Sequence, residues 1–200
     1  MLRYQLFPRS VRMDETIKQV IDCFDRHISE IDSPTHTLKS DEVLKTIVPE
    51  LKDLGFSVEE GKASEDKIKV PVLFSMNNRI DKFFDADAVS ADGRIVLEVE
   101  AGRAFSNNQF LKDVFQACMM YGVDYRMIAV RNDYRRNPDF EKIYNFFETL
   151  YINGRLQLPL KGIVLIGFDV QDVMSPRSGM IACYISNPRI LNRSSLGAKL

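Results

Sequence analysis

The chain has 200 residues, 45% hydrophobic and 28% charged, with 27 Lys and Arg against 28 Asp and Glu. That is enough for one sizeable core, and it argues against a disordered, collagen-like or strongly polycationic protein. The three cysteines, Cys23, Cys118 and Cys183, stand far apart with no CxxC spacing, which argues against a zinc site or disulfide framework and favours a reducing compartment. The N-terminus has no long apolar stretch and no window approaches 18 apolar residues, so we expect a soluble, cytoplasmic protein with no membrane partner.

Apolar residues recurring every three to four positions predict a first helix over 14–31 and a second from the Ser40 cap to Leu54, kinked at Pro49 and stopped by Gly55. Short strands are expected over 56–59 and 67–74, joined by the polar stretch 60–66. The hairpin of residues 85–100 follows. After it, Phe110, Val114, Ala117, Cys118 and Tyr121 mark a helix, 125–131 a buried strand, 140–150 a helix and 162–168 another buried strand. Strands alternating with helices imply parallel pairing. The fold class expected is α/β, with a central mixed β-sheet flanked by α-helices, in one domain over 1–200. Residues 1–38 read as an N-terminal helical extension. Residues 169–200 hold a loop around Ser175 to Gly179 and a possible strand over 180–185.

The hairpin carries the chemistry. Asp92-Gly93 between alternating apolar residues predicts a two-residue type I′ turn. Ala91 then faces Arg94, Val89 faces Val96, Asp87 faces Glu98 and Asp85 faces Glu100, so four acids share one face. Like charges opposite one another destabilise a sheet. The strands around them, rich in Phe, Ala, Val, Ile and Leu, look buried on both sides. Acids in such a setting must be paired, neutralised or bound to a cation.

Asp87 followed eleven residues later by Glu98-Val99-Glu100, then a helix and a strand, resembles the PD-(D/E)XK nuclease superfamily. The E-x-E tripeptide is similar to that of the BamHI and BglII group of type II restriction endonucleases. The segments Leu97 to Ala104, Phe110 to Asp113 and Leu158 to Phe168 fit the same group, and the resemblance spans about residues 40–168. It implies a restriction-endonuclease-like fold and a metal-dependent DNA endonuclease acting in defence against foreign DNA. Asp87 and Glu98, helped by the Val99 carbonyl, would bind Mg²⁺ or Mn²⁺, ions suited to hard oxygen ligands.

In that scheme Glu100 occupies the usual lysine position, and would position or deprotonate the attacking water or ligate a second cation. Asp85 competes with Asp87 as first ligand. Glu42, with Glu50 as its rival, would supply a helix-borne acid. Arg103 and Lys112 would reach phosphates, Arg126, Arg131, Arg135 and Arg136 form a looser basic cluster, and Tyr134 and Tyr184 could stack on bases. The partner implied is double-stranded DNA, approached by a homodimer. The alternatives are a repair or recombination nuclease, or a non-catalytic nucleic-acid-binding protein on the same scaffold.

Overall fold

The computed structural model describes residues 2–33, 36–61, 63 and 66–168. The first strand, β1 (Arg3–Phe7), leads into α1 (Glu15–Arg26), capped by the Asp14 carboxylate accepting from the Ile17 N–H at 3.0 Å. The expected helix over 14–31 breaks at His27, and one further turn, α2 (Ile28–Ile31), leads to the short pair β2 (Asp32–Ser33) and β3 (His36–Thr37). Next come α3 (Ser40–Asp53), running through Pro49 and ending before Gly55, and β4 (Ser57–Val58). The cap of α3 is Lys39 rather than Ser40.

After these come β5 (Ile68–Ser75), β6 (Arg79–Ala86), β7 (Ala88–Val89) and β8 (Ile95–Glu100), then α4 (Gln109–Met119), β9 (Tyr125–Arg131), α5 (Asp139–Asn153) and β10 (Gly162–Phe168).

A six-stranded mixed sheet in the order β1-β10-β9-β8-β7-β4 forms the centre. Strands β8, β9 and β10 are parallel, whereas β1, β7 and β4 pair antiparallel. Side-chain alternation divides the core in two. Ile95, Leu97 and Val99 of β8 with Met127 and Ala129 of β9 pack under α1 and α3; Val96, Ile128 and Val130 pack under α4 and α5. Burial of β9 and β10 on both faces explains their unbroken apolar runs. Residues 3–7, read as part of a helical extension, are instead an edge strand of the main sheet, with Leu6 and Phe7 buried on opposite sides.

The expected continuous first strand of the hairpin splits at Asp87. Its earlier part, β6, pairs with β5 in a separate two-stranded ribbon, and residues 73–83 of that ribbon are all exposed. The later part, β7, joins the main sheet with Val89 opposite Val96, the register the sequence predicts.

The turn is of another kind: among its residues only Gly93 takes a positive φ, at 73°. Its N–H donates to the Ser90 carbonyl at 2.8 Å, and Ser90 Oγ accepts from the Ile95 N–H at 3.0 Å. Side-chain partners on Ser90 and Asp92 satisfy the backbone donors of a wider loop, so a tight type I′ turn is not needed. The possible strand over 180–185 and Tyr184 lie outside the described residues. Among the described residues no helix is long and apolar enough to cross a membrane.

Candidate metal centre

Glu98 and Glu100 lie two apart on β8 and so share the face that Val96 presents to α4. Helix α4 buries Phe110, Val114 and Ala117, and the same stripe includes Asp113, whose side chain is 1% exposed. One carboxylate oxygen from each of Glu98, Glu100 and Asp113 lies within 4.8 Å of the others. The neighbouring strand adds Arg126, in phase with Ile128 and Val130 and itself 1% exposed. Its Nη2 donates to Glu98 Oε2 at 2.9 Å and stands 4.0 Å from Asp113 Oδ1. Among the described residues Asp113 Oδ2 and Arg126 Nε and Nη1 are buried without a hydrogen-bond partner. Buried polar atoms rarely stay unpaired, because each forfeits its hydration.

Asp87 flanks this cluster at the break between ribbon and sheet. Continuing the β7–β8 register sets it beside Glu98, and its Oδ2 accepts the Val99 N–H at 2.8 Å. Val99 therefore enters the site through its amide, in addition to the carbonyl the resemblance implies. Burial, and then the Glu98 charge, raise the Asp87 carboxyl well above its usual range. Burial followed by the charges of Asp113 and Glu98 pushes Glu100 up to about 7, and burial followed by Glu98 pushes Asp113 up to about 6. The arrangement holds negative charge where the fold alone makes it costly. A divalent cation with hard oxygen ligands would relieve that cost.

The remaining candidates divide. Lys112 Nζ lies 3.7 Å from Asp113 Oδ1 at the mouth of the cluster, with more than half its side chain exposed. Arg103 lies just beyond β8, exposed, and lines a cleft rather than the cluster. Glu42 is not part of the centre: it is exposed on the first turn of α3, where its carboxylate accepts the Lys39 N–H at 2.8 Å and helps cap the helix start. Glu50 pairs with Arg26 and with His27 Nε2, the latter at 2.9 Å, between α1 and α3. Asp85 is exposed and sits opposite Lys69 in the ribbon, not opposite Glu100, because the chain leaves the main sheet before reaching it.

Two of the looser basic cluster, Arg126 and Arg131, are buried and not on the surface. Arg131 Nε donates to the Ala101 carbonyl at 2.9 Å and its Nη2 to the Leu38 carbonyl at 2.8 Å.

Two members of the centre, Asp113 and Arg126, were not singled out for it by the sequence reading. Each had a signal: a carboxylate within the apolar stripe of a helix, and a guanidinium in phase with the inward side of a buried strand. A comparison with protein-family models finds no match, and neither does a comparison with the curated proteins.

Proposed function

We propose that the chain is a divalent-metal-dependent endodeoxyribonuclease with a restriction-endonuclease-like fold, serving cytoplasmic defence against foreign DNA. The observation that carries this reading is the convergence of Glu98, Glu100 and Asp113 within 4.8 Å, with Asp113 Oδ2 buried and lacking a partner. The order of the motif supports it: Asp87, then Glu98-Val99-Glu100 on a central strand, then a helix and a parallel strand.

Glu98, Glu100 and Asp113 would hold the ion, with Asp87 beside them. Mg²⁺ or Mn²⁺ bound there would polarise the scissile phosphate and acidify a water. Glu100, in the place the resemblance gives to a lysine, would ligate the ion and position the attacking water beside it. Arg126 holds Glu98 in place through its hydrogen bond, and Lys112 offers its ammonium to an incoming phosphate at the rim. A homodimer would bring two such centres to the opposite strands of a duplex.

One observation favours a second reading. Arg126 already neutralises part of the cluster through its 2.9 Å bond to Glu98, as a scaffold that binds nucleic acid without cutting would require. The test is Mg²⁺- or Mn²⁺-dependent cleavage of mixed plasmid and phage DNA beside a Glu98→Ala control, with calorimetric Mn²⁺ titration of both. Discrete fragments that vanish in the variant support the nuclease. No cleavage together with no Mn²⁺ binding selects the second reading.

A further inference from the structure

A cleft of about 760 Å³ opens beyond the carboxyl ends of β8 and β9, where open α/β sheets place their ligands. Its lining includes Lys39 before α3, Arg103 after β8, and Arg131 and Arg135 at and after the end of β9. Among the described residues that line it, Asp133 is the one carboxylate, against four cationic side chains. Arg131 is fixed to the Ala101 and Leu38 carbonyls and ties two walls together.

The floor is closely built. A Cβ at Gly102 would stand 3.1 Å from the Tyr134 ring, so the glycine is what lets the ring lie against the backbone, and the Arg135 guanidinium sits 5.4 Å over that ring. Arg103 and Arg135 are exposed and form no ion pair among the described residues. The cleft follows the acidic cluster along the chain, since Glu100 closes β8 and the next three residues, Ala101, Gly102 and Arg103, line the cleft.

We propose that this cleft holds the phosphodiester backbone of a nucleic-acid strand next to the phosphate presented to Glu98, Glu100 and Asp113, with Arg103, Arg135 and Lys39 as its phosphate contacts. The proposal rests on the nuclease reading and gives it a direction of approach. An open cleft with separated cations suits a run of phosphates, which are read by charge and not by sequence. The ribbon is a poorer platform for the backbone, because its exposed residues 73–83 offer Arg79 and Lys82 among Leu73, Phe74, Met76, Ile80 and Phe83.

The experiment measures binding of the full chain to a short fluorescein-labelled DNA duplex in EDTA, across NaCl from about 50 to 200 mM. Wild type is compared with Arg103→Gln/Arg135→Gln and with the charge-conserving Arg103→Lys/Arg135→Lys. Removing two phosphate contacts should lower the slope of log Kd against log salt by about 2 and weaken binding at low salt by at least about tenfold. The lysine pair should restore the slope.

If wild type binds DNA and the glutamine pair leaves the slope unchanged, the cleft is wrong while cleavage still judges the nuclease. If neither duplex nor single strand binds although Mn²⁺ does, both the cleft and a nucleic-acid substrate fall. A single-stranded probe with the same slope change retains the backbone site. Binding of AMP, but of neither DNA form, makes the cleft a mononucleotide pocket and overturns the proposal.

Discussion

Replacing Asp113 by Asn should move stability and metal affinity in opposite directions. The side chain is 1% exposed, its Oδ2 has no partner, and burial and Glu98 raise its carboxyl from 3.8 to about 6. About two units at 1.36 kcal/mol each put the cost of keeping Asp113 ionised at pH 8 near 3 kcal/mol. The amide has nearly the same shape, removes the charge and can donate to a neighbouring carboxylate, but it weakens the electrostatic support of Arg126. The metal-free variant should therefore be about 1 to 3 kcal/mol more stable than wild type at pH 8. In urea unfolding with EDTA that gain reads directly as a higher midpoint. With Mn²⁺ at a hundred times its Kd, wild type should gain about 2.7 kcal/mol, and Asp113→Asn less than about 1 kcal/mol at the same concentration. A metal-free variant less stable than wild type, or one that gains as much from Mn²⁺, would refute the assignment of Asp113 as a ligand.

Glu100 and Asp113, raised to about 7 and about 6, and Asp87, raised with them, hold more protons folded than unfolded. Stability of the metal-free chain should then fall as pH rises from about 4 to about 8, and thermal melts with saturating Mn²⁺ should lose that fall. A melting temperature that rises across this window in EDTA would contradict the clustering of these acids. Glu98→Ala should reduce cleavage by orders of magnitude and lower Mn²⁺ affinity. Glu42→Ala should leave cleavage unchanged and cost only about 0.5 to 2 kcal/mol as a lost cap; plasmid cleavage and urea melts of the pair decide between them. Arg126→Met should destabilise the metal-free chain by about 3 to 5 kcal/mol at pH 8, measured by urea unfolding, because Glu98 and Asp113 lose the cation between them. A change below 1 kcal/mol would mean that the cluster tolerates its charge unaided.

Periodicity located the helices around Val20 and Val114 and the buried runs of β9 and β10, because each element is long enough for its apolar phase to be unambiguous. The acidic hairpin was legible in register, since Val89 and Val96 could face the core together only one way. Three features were not legible. The split at Asp87 depends on β5 capturing β6 away from the sheet, a long-range pairing that local pattern does not encode. The edge position of β1 is fixed by its partner β10, more than 150 residues later. The helix-borne acid at the cluster is Asp113 and not Glu42, and only tertiary packing tells that Glu42 sits at the surface start of α3 while Asp113 lies on the buried face of α4.

The strand placement of Glu98 and Glu100 has a consequence for the kinetics of ligand capture. Strand β8 is hydrogen-bonded to β7 on one side and to β9 on the other, so its carboxylates are borne by backbone that opens only with the core of the molecule. A cation arriving there meets groups already converged and has no loop to order. Its capture should be limited by shedding its own hydration, with Arg126 still bonded to Glu98, and should proceed in a single phase without a slow conformational step.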